Sequence, residues 1–497
     1  MIRTRRDAWK LPSGDKTLEL YAKAVAVMQK RPITDPTSWR YQAARHEYDP
    51  AKDPLKTPGE TLPSQSEQGT FWNQCQHGTW FFIPWHRGYL YYFEQIIRKI
   101  VVEQLDGPAT WALPYWNYSD ATNPKARCLP PAFWAGSFAG ITPNPLLVSQ
   151  RAPGANAGKP LGKAPSADIL VCLTTPLFIN GTIGIGIPKG FGGGKTGFMH
   201  GGRNDAGACE GVPHGTMHDA VGGRTGWMEF FWTAALDPIF WLHHANIDRL
   251  LEVWRKRNPS YTVPTDPAWL SGLSFDFHDA SGKKASLTVD QVLDTTKPVL
   301  DYVYEDVSDP VPPGTPPSGP TGPVTSLTMD LEQVPEMIGA TGAPNGISLG
   351  SGTQTVQIPL RPPTGPGLER VDRPGRRQVY LALENITARS APIESYMVYV
   401  NLPEGASPDN HSELSAGLLP RFGIIEASRP TREHPGDGLG YSFDITRIVS
   451  LLQARRSWDA ERVRVTFVPH RGESEMEVEN LETTLPIRVG RISVYYI

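Results

Sequence analysis

A run of prolines constrains this chain more than any other feature. Residues 309–323 read DPVPPGTPPSGPTGP. Proline fixes φ and lacks a backbone N–H, so neither a helix interior nor a central strand can pass through such a run. It is expected to form an extended, semi-rigid linker. The chain of 497 residues is long enough for a domain on each side. The patterning also changes across the run. Before it, TLELYAKAVAVMQK brings Leu18, Tyr21, Ala22, Val25 and Met28 onto one helical face. Asp237-Pro238 supplies an N-cap and a first-turn proline for a helix with the stripe Phe240, Ile247, Leu251 and Trp254. After it, RQVYLALENI, ESYMVYVNL, RVRVTFV and IRVGRISVYYI are β-branched and aromatic runs bounded by turn residues. The expected fold class is multidomain α+β. A mainly α-helical domain would span 1–305, a Pro-rich linker 306–325, and an antiparallel β sandwich or barrel 326–497.

Composition excludes several function classes. Lys+Arg is 48 against Asp+Glu 51, a net charge of -3, so no basic footprint for nucleic acid exists. No apolar run reaches the ~18 residues of a membrane span, and no apolar stretch follows MIRTRRDAWKLPSGDK as in a signal peptide. A cytoplasmic protein is expected, with export alongside a partner left open. The four cysteines, Cys75, Cys128, Cys172 and Cys209, are too few for a disulfide scaffold and form no CxxC pair. The glycine-rich run 181–197 lacks the spacing of a phosphate cradle and reads as a mobile surface loop.

Eight of the 12 histidines fall between residues 46 and 244. In PHGTMH, His214 and His218 stand at i and i+4 on one helical face, the spacing at which two imidazoles converge on a metal. Such a pair alone also fits an ordinary core or surface pair. His244 lies on the apolar stripe of its helix, and a buried imidazole left unpaired costs about 1–3 kcal/mol. His86 heads the stripe His86, Leu90, Phe93 and Ile97. His77 lies on the far side of Pro84, which interrupts a continuous helix, so it is expected on a preceding loop. His46 ends the aromatic segment WRYQAARHEY. Two sets of three neutral imidazoles, without Cys or carboxylate, suit copper bound for oxygen chemistry. Zinc also accepts three histidines. The pairing of two sets among aromatic residues favours copper.

The segments HGTWFFIPWHRGYLYYFE, LPYWNY, PHGTMHDAVGG and DPIFWLHHANIDRLLEVW resemble the two copper signatures of tyrosinases and catechol oxidases, the type 3 binuclear copper phenol oxidases. The resemblance covers about residues 20–305. VYLALENI and SYMVYVNLP are similar to the β-rich domain after the linker in plant-type polyphenol oxidases.

The resemblance implies a four-helix bundle holding two copper ions. His46, His77 and His86 would bind the first, and His214, His218 and His244 the second. His243, Phe240 and Asp248 would support the ligands, with Asp248 and Arg249 forming an ion pair. Cys75 stands in the C-x-H spacing at which fungal-type members join cysteine to histidine by a thioether, here to His77. Glu210, four before His214, matches a glutamate that positions a water, and Phe231 a bulky gate over the first copper. Efficient hydroxylators often carry Asn after the first ligand of the second copper. Here that residue is Gly215, and Asp219 is a candidate substitute base. The implied partners are O2 and small phenols. The implied activity is oxidation of o-diphenols to o-quinones, with slower hydroxylation of monophenols. An o-aminophenol oxidase and a haemocyanin-like oxygen carrier are the alternatives. The C-terminal domain is expected to act as a lid, inserting a loop from 409–423; oligomerisation is left open.

Overall fold

The computed structural model describes residues 2–161, 171–179, 190–201, 206–311, 336–341, 346–361, 378–389, 394–432, 434–470 and 487–496. Most of the proline run and residues 181–189 of the glycine-rich run lie outside these. No described helix is long and apolar enough to cross a membrane.

Five helices frame the first region: α1 (Thr17–Gln29), α2 (Trp39–His46), α3 (Phe82–Gln104), α4 (Thr216–Gly222) and α5 (Ile239–Arg257). Ser38 caps α2, its side chain accepting from Tyr41 N at 3.2 Å. The helix α3 starts at Phe82, ahead of Pro84. The proline therefore sits in the first turn, where its missing N–H breaks no helical bond, and no helix runs back from it to His77, which lies on a preceding loop as expected. Its stripe of His86, Leu90, Phe93 and Ile97 is buried. At the start of α5, Asp237 accepts from Ile239 N at 3.1 Å and pairs with Arg151 at 2.7 Å. The helices α3 and α5 pack together, and Phe93 stacks on Trp241 with centroids 3.5 Å apart. The four helices that carry histidines, α2 to α5, differ greatly in length, at 8, 23, 7 and 19 residues.

The ends of this region close on each other. Strand β1 (Arg3–Arg5) precedes a hairpin of β2 (Phe275–His278) and β3 (Lys284–Leu287), and β4 (Tyr302–Tyr304) pairs in parallel with β1. Beneath this pairing Asp248 accepts from Arg5 at 3.2 Å, from Tyr304 at 2.6 Å, and from Arg87 and Tyr302. Burial raises its pKa, but the Arg87 and Arg5 guanidinium groups outweigh that and hold it below the usual value. Asp248 thus ties α5 to α3 and β1. It does not pair with Arg249, which instead bonds Asn246 Oδ1 at 3.0 Å and Asp306 O at 3.3 Å. The helical body runs past residue 305: Glu305 N donates to Arg5 O at 2.9 Å, and Val311 lies in the first apolar core.

The second region holds β5 (Glu336–Ala340), β6 (Ile347–Leu349), β7 (Gln354–Pro359), β8 (Val379–Thr387), β9 (Ser395–Val400), β10 (Ser415–Leu419), β11 (Leu439–Asp444), helix α6 (Thr446–Ala454), β12 (Arg462–His470) and β13 (Ile487–Tyr496). One antiparallel sheet has the order β10-β9-β12-β7; the other has β11-β8-β13-β5, with β6 also on β13. Val398, Val465 and Phe467 of the first share a core with Leu381, Leu383, Ile492 and Val494 of the second. The four β-patterned runs of the sequence lie in β8, β9, β12 and β13. Phe422, in the loop after β10, is buried in the core of the first region.

Candidate metal centre

Three structural contexts bring the first group of histidines together. His46 ends α2, His77 lies on a loop, and His86 is in the second turn of α3. The loop is held by His77 N donating to Met199 O at 3.1 Å and Trp80 N to Gly194 O at 2.9 Å. Residues 190–194 are buried there, so this part of the glycine-rich run packs behind the His77 loop, contrary to the surface loop expected. In the second group, His214 sits in the turn Glu210–Gly215, His218 on α4, and His243 and His244 on α5. Within each group the candidate ligand atoms all lie within 4.8 Å of one another. The groups also adjoin: His86 and His244 stack with centroids 4.4 Å apart, and His77 and His214 are separated by 5.4 Å.

Burial lowers the pKa of every one of these rings, His46 and His243 to about 3. Neutral rings carry one N–H, and their surroundings say where it is. Nδ1 faces a carbonyl in His46 (Phe231 O, 2.9 Å), His86 (Phe82 O, 2.8 Å), His214 (Glu210 O, 3.1 Å) and His218 (Met228 O, 2.7 Å). In His77 it faces Glu210 Oε1 at 3.1 Å. Each Nδ1 must donate, which leaves Nε2 as a bare lone pair. His46 Nε2 and His77 Nε2 then face each other at 3.3 Å, two lone pairs with no proton between them. Nε2 of His86, His214, His218 and His244 is buried without a hydrogen-bond partner. Buried, unpartnered acceptors converging in this way fit cations between them, and an all-imidazole donor set fits copper. Proximity alone does not separate His243 from His244. His244 stacks on His86 and lies 4.2 Å from Phe240, between the groups, whereas His243 packs on His218 at 4.9 Å, His214 at 5.5 Å and Tyr118 at 5.7 Å.

The other predicted residues gather around these rings. Glu210 accepts from Gly78 N at 2.7 Å as well as facing His77, and burial pushes its pKa up to about 8. Phe231 lies over His77 at 4.4 Å, and its carbonyl orients His46. Phe240 packs on His46 at 5.1 Å. Gly215 has ordinary helical φ, and a Cβ there would meet Pro420 Cγ at 3.5 Å. Cys75, buried with its pKa pushed up by desolvation, has its sulfur 3.2 Å from Nδ1 of His200. His200 carries no spacing to the other histidines by which the sequence could single it out. Asp219 is turned to the second region: its carboxylate accepts from Ser395 Oγ, Arg421 N and Phe422 N. Burial raises its pKa. The Phe422 ring stacks on His218 at 3.8 Å and 17°, and lies 4.8 Å from Phe231 and 5.3 Å from His214.

Residues 36–155 and 189–257 match the family model for the common central domain of tyrosinase, and 264–312 that for the polyphenol oxidase middle domain. A tyrosinase of Hahella sp. (strain CCB-MM4), HcTyr1, is 34% identical over 512 residues, covering 99% of each chain. The chain belongs to the tyrosinase and polyphenol oxidase family. Members of this family are copper oxidoreductases acting on phenols, with a binuclear type 3 centre, and this chain carries two histidine groups able to hold the metal pair. Polyphenol oxidase A1 of Vicia faba is 30% identical over 310 residues, and the alignment spans 46% of its length. Among solved structures, latent aurone synthase, a polyphenol oxidase, covers the whole chain with a TM-score of 0.62 at 21% identity. Latent apple tyrosinase does so with 0.61 at 22%, so the likeness of fold extends through the second region. Residues 334–497 match a domain model of unknown function.

Proposed function

We propose that this tyrosinase-family enzyme oxidises o-diphenols to o-quinones with O2 and hydroxylates monophenols more slowly. His46, His77 and His86 would hold one copper, and His214, His218 and His244 the other. The carrying observation is the facing Nε2 pair of His46 and His77, whose lone pairs need a cation. When bound, the copper pair supplies dioxygen binding and the electron transfer. The chain's own residues orient and exclude water. Carbonyls of Phe231, Phe82, Glu210 and Met228 fix ring tautomers, so each Nε2 is preorganised as a ligand. Phe82, Phe231 and Phe240 wall the rings with apolar surface. Glu210 keeps the His77 proton on Nδ1 through Oε1; its Oε2 is buried without a partner and is available to a water or a substrate hydroxyl, whose pKa near about 10 calls for a base. Gly215 offers no amide beside His214, which supports the slower hydroxylation. Cys75 is proposed to rigidify the His77 loop, with a thioether to His77 and the His200 contact as competing forms.

We also propose that the second region is a lid. The Phe422 ring occupies the place on His218 where a phenol would stack. The residue falls within the 409–423 segment expected to enter the site.

Copper analysis with oxygen uptake on matched phenols, catechols and o-aminophenols tests the activity. Two coppers per chain and fastest turnover on catechol are expected. Faster hydroxylation than catechol oxidation overturns the ranking. Preference for o-aminophenol, or O2 binding without quinone, assigns the alternatives instead.

A further inference from the structure

The position directly after His218 carries a carboxylate whose hydrogen bonds leave its own domain. Arg421 N donates to Asp219 Oδ2 at 2.8 Å and Phe422 N to Oδ1 at 3.0 Å, so successive amides of one loop are chelated by one carboxylate. Ser395 Oγ adds a third bond to Oδ2 at 2.9 Å. Around this point the Arg421 guanidinium donates to Gly223 O at 2.8 Å and lies 3.4 Å from Glu229. Asp219, Ser395, Arg421 and Glu229 are all buried, which keeps water from competing for these bonds. The loop is shaped to match: Pro420 enters it, and Gly423 leaves it at φ +83, a conformation side chains rarely adopt.

We propose that Asp219 is the positioning residue of the lid: by chelating the backbone N–H groups of Arg421 and Phe422 it holds the Phe422 ring on His218, and the site opens when this set of bonds breaks. The proposal rests on the lid reading above. It gives Asp219 a role other than the base suggested by its place beside His218, because in the closed chain both of its oxygens already accept hydrogen bonds from the lid. It also means that opening needs no cut in the chain.

The expected signature is kinetic. If substrate binds only the open form, the apparent affinity is reduced by the open fraction. Weakening the anchor then lowers KM for catechol while kcat at saturation is unchanged. One hydrogen bond to a charged group shifts such an equilibrium by about tenfold. The test uses the full-length, copper-loaded chain with Asp219→Asn, Ser395→Ala, Arg421→Ala and Phe422→Gly, together with amide hydrogen exchange of residues 415–423. Asp219→Asn is expected to lower KM most, then Arg421→Ala, then Ser395→Ala, each with faster exchange at 421 and 422. Ser395→Ala and Arg421→Ala decide the matter if Asp219→Asn binds less copper. Unchanged KM and exchange in the anchor variants, with KM lowered by Phe422→Gly, overturns the anchor and leaves the lid standing. Unchanged KM in Phe422→Gly as well overturns the lid and the anchor with it. A lowered kcat in place of a lowered KM assigns Asp219 to the chemistry and overturns the proposal.

Discussion

The two histidine groups face one another but are built differently. In the first, His46, His77 and His86 come from a helix end, a loop and a helix start, and every Nδ1 is tied to a carbonyl or carboxylate. In the second, His214 and His218 are tied in the same way, but neither nitrogen of His243 or His244 has a partner. The first group is therefore locked before any metal arrives. The second retains a choice between neighbouring rings, and it is the one on which Phe422 rests. Rigidity in one half and adjustability in the other suit a centre that must bind two metals and still admit and release substrate.

The largest effect that could break this contrast is at the second group. His244→Ala is expected to lower copper from two per chain to one and abolish catechol oxidation, whereas His243→Ala keeps both coppers. Loss of copper from both variants by metal analysis would make the second group four-membered. Glu210→Gln probes the locked half. Replacing the carboxyl oxygen that holds His77 Nδ1 is expected to weaken copper at the first group by about 10–100-fold in a competition titration, with the second group spared. Cutting the chain within 312–323 and removing the second region should uncover the second group and raise catechol turnover at low substrate by about tenfold; equal rates in the truncated and full-length forms would count against any lid. The smallest effect is expected at Gly215→Asn. Its Cβ meets only ordinary contacts, so the fold should hold, and the added amide beside His214 should raise the ratio of monophenol to catechol rates by less than about tenfold.

The parts of the site legible in the sequence were those written in local periodicity. His214 and His218 at i and i+4, and the stripes of α3 and α5, follow from the helical repeat, and the segments around them carry the family's signatures. Pro84 separated the His77 loop from α3 as read, because proline is tolerated in a first turn and not in a helix interior, although no pattern marks the start at Phe82 itself. Asp248 misled because an Asp-Arg neighbour pair suggests a local ion pair. Its real partners, Arg5 and Arg87, lie 243 and 161 residues away. His200 beside Cys75, and Arg421 and Phe422 beside Asp219, are separated by 125, 202 and 203 residues. Nothing in spacing could announce them.

By itself, the sequence determined that the stripes around Leu18–Met28, His86–Ile97 and Phe240–Trp254 are helical and that four long β-branched runs after the prolines are strands, that the regions either side of the proline run differ in character, and that the chemistry belongs to imidazoles rather than thiolates or carboxylates. These rest on residue type and short-range repeat. Only the tertiary structure decided which ring nitrogens are left bare, which carbonyls leave them so, and that a carboxylate beside one histidine grips the backbone of a distant loop. Those outcomes depend on how chain segments hundreds of residues apart close against each other once water is excluded, and burial, not spacing, sets the strength of every such contact.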